Sequence, residues 1–164
     1  MKRILLLMFI VTSQLGFSQV DLSFFKTSLL LSTYDSLETN MMNSGYRYDE
    51  STIASSGKAC FADDIFKRVN SIYSETISVI SECSEDERKP SKKIEFITSD
   101  KKLFYKIKNE CKNIKTIIPL TDTFKDETVR NKYADGNFTY TFISGKYRGR
   151  KYYKFEVEYD RVIK

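Results

Sequence analysis

Apolar and polar positions alternate most cleanly toward the end of the chain. Phe138, Tyr140 and Phe142 take turns with Thr139 and Thr141, and Tyr153, Phe155, Val157 and Tyr159 take turns with Lys154, Glu156, Glu158 and Asp160. A period of two puts each set on one face of a strand, so both segments predict strands with one face on a core and the other in water. Ser144-Gly145 predicts a turn between them, and Asp135-Gly136 a turn before them. Earlier in the chain the period is helical. Leu22, Phe25, Leu29, Leu30, Tyr34, Leu37 and Met41 predict a helix over 21–43, with a break near Ser32-Thr33. Asp35 and Glu38 form a capping pattern for a second piece, and Gly45 stands where a C-terminal glycine belongs. Leu103, Phe104, Ile107, Cys111 and Ile114 predict a helix over 100–113, with Ser99 as its cap and Asp100 at its positive end.

Shorter strands are expected at 46–49, 58–62, 94–98 and 115–120. Residues 65–83 fit both periods. From Val69 through Cys83 there are six β-branched residues and four serines, which favours strand over 73–83 and leaves 63–72 undecided. The charged run from Ser84 to Lys93 and the mostly polar residues 121–136 predict loops. The order helix, strands, helix, strands implies an α+β fold. The expected form is an antiparallel sheet with two main helices packed on one face, built as two similar helix-plus-strands halves.

The first residues change where such a domain is expected to work. Lys2 and Arg3 precede an unbroken apolar run, Ile4 to Val11, and the triplet Gly16-Phe17-Ser18 follows. A basic start, a short apolar run and small residues before a cut describe a secretory signal, with cleavage between Ser18 and Gln19. The run falls short of the roughly 20 residues that span a bilayer. The ending Gly16-Phe17-Ser18-Gln19 resembles the signal peptides of exported proteins in Bacteroidota-type bacteria, which implies a secreted or periplasmic protein. Removing 1–18 leaves residues 19–164 as a single domain, with 25 basic and 22 acidic residues and a charge of +3. That charge is too mild to dictate a partner, and nucleic acid is the least favoured ligand. No later run has the length and apolarity of a transmembrane segment.

An oxidising compartment gives the three cysteines meaning. Cys83 and Cys111 fall on inward positions and Cys60 on an outward one, so the expected bridge is Cys83–Cys111. No metal site is expected: the chain has no His, no C-x-x-C, and widely spaced thiols. Without His, neither a Ser-His-Asp nor a Cys-His arrangement can form. No glycine-rich phosphate loop occurs, and no cofactor is expected. Glu156 and Glu158 share a strand face and are the one carboxylate pair that a small hydrolase could use.

Two basic-aromatic features remain. Lys101, Tyr105, Lys108, Lys112 and Lys115 step by three and four along one helix face. Lys146, Tyr147, Arg148, Arg150, Lys151 and Tyr152 crowd one hairpin. Either suits an anion; either also suits plain solubility and edge protection. The function expected first is a non-enzymatic exported domain that binds a cell-envelope protein or glycan. A polyanion- or lipid-surface-binding protein using these patches comes second, and a carboxylate hydrolase third.

Overall fold

In the computed structural model the described residues are 20–31, 33–56, 59–69, 73–83, 88–120, 123–125, 128–147 and 149–160. They form helices α1 (Leu22–Leu30), α2 (Tyr34–Asn43) and α3 (Lys101–Lys112). The strands are β1 (Arg47–Ser56), β2 (Ala59–Val69), β3 (Ser74–Cys83), β4 (Arg88–Thr98), β5 (Ile118–Pro119), β6 (Thr123–Lys125), β7 (Thr128–Asp135), β8 (Phe138–Tyr147) and β9 (Arg150–Tyr159). All nine strands lie in one antiparallel sheet of order β1-β2-β3-β4-β9-β8-β7-β5, with β6 also paired to β7. Two meanders therefore meet along their last strands, β4 and β9. Among the described residues, no helix is long and apolar enough to cross a membrane.

The sheet is mixed with helices but dominates the fold. Along the middle register row, Ile77, Phe96, Phe155 and Phe142 stand opposite one another on β3, β4, β9 and β8. Phe25 of α1 sits 5.3 Å from Phe96 and 5.1 Å from Phe155, ring centre to ring centre. Phe104 of α3 sits 5.7 Å from Phe142. Leu37 and Met41 of α2 are buried in the same core. Aromatic pairs at these separations combine large apolar burial with favourable edge contacts.

Local signals explain several element ends, and some differ from expectation. Three helices stand where two main ones were expected. The 21–43 segment is two helices because Thr33 starts a second one, its hydroxyl accepting from Ser36 N–H at 3.3 Å; the cap is Thr33, not Asp35. The cap of α3 is Asp100, whose Oδ1 accepts from Lys102 and Leu103 N–H, while Ser99 Oγ accepts from Ser74 N–H. Gly45 closes α2 with a φ of 84°, and Gly136 turns β7 into β8 with a φ of 58°, both as expected. Ser144-Gly145 does not turn. β8 runs on to Tyr147, and Gly149, with a φ of 77°, marks the turn. At Gly145 a Cβ would lie 3.0 Å from Thr128 Oγ1 and 3.2 Å from the Tyr152 ring, so glycine is there for close approach.

The undecided 63–72 region belongs largely to β2, the loop expected at 84–93 is strand from Arg88 onward, and 121–136 holds β6 and β7. The expected strand 115–120 shrinks to Ile118–Pro119. Residues 1–19 and 84–87 lie outside the described residues.

The cysteines also sort differently. Cys60 is disulfide-bonded, and Cys111 is a buried free thiol. This corrects the expected Cys83–Cys111 bridge. Cys83 stands directly opposite Cys60 in the β2–β3 ladder, the spacing a cross-strand bridge needs, and it is the remaining cysteine of three. Cys60 shares its strand face with buried Ala62 and Phe66, and it is Phe61 that turns outward.

Phe155 touches Phe25, Tyr140 and Phe142 and is fully buried. Phe155→Ala is expected to lower stability by about 3–5 kcal/mol, read as a shift of the urea midpoint. A loss below about 1 kcal/mol would mean that the two meanders do not depend on this row.

Candidate functional site

Two separate stretches of sequence meet over the sheet face that carries Phe142 and Tyr153. Lys101 and Tyr105, one turn apart on α3, face Ser144, Gly145 and Lys146 of β8 and Lys151 and Tyr153 of β9, with Val129 of β7 at the side. Together they line a depression of about 220 Å3. Packing beneath it fixes the geometry. Phe104, the buried neighbour of Tyr105, lies 5.1 Å from Tyr153 and 5.7 Å from Phe142, which holds the start of α3 over this end of the hairpin. Tyr105 then sits 6.4 Å from Tyr153, and the Lys101 ammonium lies 5.8 Å from the Tyr105 ring centre.

The charged side chains that line the depression are all lysines. Lys146 and Lys151 stand directly opposite each other in the β8–β9 ladder, an arrangement that opposes pairing. Lys101 opens α3 directly after the cap residue Asp100, at the positive end of the helix dipole. Three lysines therefore surround two tyrosine rings in one recess.

The other expected residues go elsewhere. Lys108 donates to Asn131 on β7 and is turned into the protein. Lys112 and Lys115 are exposed beyond the recess. Tyr152 pairs with Gly145 on the face away from the helices, and Arg150 is exposed beside the turn. Arg148 and the side chain of Tyr147 lie outside the described residues. Among the described residues, no group of three or more His, Cys, Asp or Glu is arranged to hold a metal.

The open face of the sheet carries a charged lattice. Glu95 and Glu156 are register partners on β4 and β9. Lys154 lies 2.6 Å from Glu95 and 2.8 Å from Glu156; Lys93 lies 2.7 Å from Glu95, 3.7 Å from Glu156 and 3.6 Å from Glu158. Burial works against ionised Glu95, but the hydrogen bonds from Lys154 and Lys93 outweigh it and lower its pKa. The two carboxylates considered for hydrolysis are thus held by ammonium groups. Beside them Asp63 Oδ1 is buried with no hydrogen-bond partner.

Sequence reasoning missed a third cluster. Tyr46 is 1% exposed. Its hydroxyl donates to Glu75 at 2.6 Å. Arg68 donates to the same carboxylate oxygen through Nε at 3.1 Å and Nη2 at 2.5 Å, and to Ser44 C=O at 3.1 Å. Its guanidinium lies 4.7 Å from the Tyr46 ring centre. Burial first, then the Glu75 charge, pushes the Tyr46 pKa up, so the phenol stays protonated and donating. Arg68 and Glu75 are cross-strand partners, and the network ties the end of α2 to the β2–β3 hairpin. The signal available was an Arg and a Glu seven apart across a turn.

No family model matches the chain, and no curated protein or solved structure matches it.

Burial and the neighbouring Glu95 charge raise the Asp63 pKa above its ordinary 3.8, partly offset by a hydrogen bond from Ser78. A raised carboxylate pKa means that the folded state holds the proton more tightly, so ionisation costs stability as pH rises through the folded value. Asp63→Asn is expected to melt higher than the parent at pH 7, with the gain closing as pH falls toward 3.8. Melting curves across that range decide it; an equal or lower melting temperature at pH 7 contradicts the argument.

Proposed function

We propose that this chain is an exported, non-enzymatic binding domain whose ligand is an acidic glycan of the cell envelope, held in the recess between α3 and the β8–β9 hairpin. The observation that carries the proposal is the placement of Lys101, Lys146 and Lys151 around Tyr105 and Tyr153. Like charges opposite each other in a ladder oppose pairing, and breaches of local consistency concentrate at functional sites. Carboxylate or phosphate groups on a glycan match the ammonium groups, and the tyrosine rings offer flat apolar area at low entropy cost. A lipid surface is the poorer match, because Lys108 is turned toward Asn131 and the helix stripe does not continue as one flat basic face.

Export is supported by the pattern of residues 1–18, a basic start, a short apolar run and small residues before the cut. The reading of the chain as two similar helix-plus-strands halves is supported by the meanders that meet at β4 and β9.

Binding to polygalacturonate, followed by calorimetry, is expected to weaken roughly tenfold or more between about 50 and 200 mM salt, as release of about three counterions requires. Lys151→Glu replaces a like pair with an opposite one across the ladder. It is expected to reduce affinity and flatten the salt dependence while leaving the melting temperature unchanged or higher. Binding that ignores both salt and this substitution refutes the site. Binding to phosphatidylglycerol vesicles without binding to the glycan assigns the ligand to a lipid surface instead.

A further inference from the structure

The two edges of the sheet are finished differently. On one side β7 is covered by β5 and β6, which are two and three residues long. Pro119 lies in β5, Leu120 N–H adds a bond to Lys132 C=O at 2.8 Å, and Arg130 and Lys132 are exposed on β7. Short strands, proline and basic residues are the usual means of keeping an edge from pairing. On the other side β1 is ten residues long, has neither lysine nor proline, and among the described residues pairs only with β2.

The charges of β1 are gathered at its start. Arg47, Asp49 and Glu50 precede or adjoin a register shift between Tyr48 and Glu50, and Asp49 is engaged by Lys67 at 2.5 Å. Beyond the shift the ladder with β2 continues without interruption from Glu50 to Ser56. The stretch Ser51-Thr52-Ile53-Ala54-Ser55-Ser56 carries no charge. In its middle Ile53 is 63% exposed, the most exposed of the large apolar side chains among the described residues.

We infer that β1 is a strand-pairing edge and that two copies of this chain join there, antiparallel about a two-fold axis through Ile53. In that register Ile53 stands opposite its own copy, Thr52 opposite Ala54, Ser51 opposite Ser55, and Glu50 opposite Ser56. No two like charges face each other, and each exposed isoleucine covers the other. The pairing is isologous, so it closes after two copies and joins two nine-stranded sheets into one. A contact confined to a single strand edge falls in the class of small, transient interfaces, so the dimer forms with rising concentration rather than permanently. The recess between α3 and β8–β9 lies on the other half of the sheet, and pairing at β1 leaves it open.

Sedimentation velocity of the purified chain, from micromolar to millimolar, is expected to show a shift from monomer toward dimer. Ile53→Arg sets two positive charges on the axis and is expected to remain monomeric, with unchanged circular dichroism and melting temperature. Ile53→Cys is expected to cross-link into a disulfide dimer under mild oxidation, while Ala54→Cys, off the axis and on the other face, is not. A parent chain that stays monomeric throughout overturns the inference. So does a dimer that survives Ile53→Arg, or equal cross-linking of the two cysteine variants.

Discussion

The pairing of β4 with β9 is the constraint on which the rest of this structure depends. Among the described residues it is the one ladder that joins the two meanders, and its two faces make opposite demands. On the helix side, Ile94 meets Val157 and Phe96 meets Phe155, and Phe25 of α1 rests on both phenylalanines. On the open side the same register sets Glu95 against Glu156. A one-residue slip would exchange these faces, placing carboxylates under α1 and phenylalanines in water. The aromatic row therefore fixes the register, and the register imposes a like-charge pair that Lys93 and Lys154 answer at contact distance.

That answer throws the recess into relief. At the seam, two opposed carboxylates are interleaved with two lysines from the same strands, and the lattice is half-buried and mutually satisfied. At the far end of β8 and β9, two opposed lysines instead look across at a third on α3. Both arrangements arise from register. Lys146 and Lys151 lie at the hairpin end, where ladder stability matters least, and a charge arrangement unfavourable to pairing is tolerable there. Under the proposed function, strand cohesion and ligand recognition fall at different places along β9, the first at its seam with β4 and the second at its hairpin end with β8.

How much of this was legible depended on whether a signal was local. The alternation at 138–142 and 153–159 gave β8 and β9 because their inward positions are nearly all aromatic or branched. The apolar face of α3 and the glycines at 45 and 136 were equally plain. The inward row of β7 was not, since it includes Asn131, a polar residue buried against Lys108. β2 hid for the same reason: Ala62, Asp64 and Phe66 face inward while Phe61 faces out. Each basic feature could be seen separately in the sequence. Their meeting could not, because it rests on Phe104 packing against Phe142 and Tyr153, residues that are 38 or more positions away in the chain. The stripe was also drawn too long, as nothing local indicated that Lys108 would turn to Asn131.

The cysteines show the same division between local pattern and long-range register. Inward-facing patterning marked Cys111 correctly as buried, but a bridge is decided by which backbones lie opposite, and that is set by the β2–β3 ladder. The result separates the three thiols chemically. The half-cystine Cys60 sits in a cross-strand bridge of the kind that persists outside the reducing cytosol, in agreement with the export proposed from residues 1–18. Cys111 lies in the core with its pKa pushed up to about 12, first by burial and then by the charge of Asp135. A thiol so rarely ionised is a poor nucleophile. Such a thiol is slow to attack a disulfide, so an odd cysteine can be carried through an oxidising compartment without scrambling the bridge between β2 and β3.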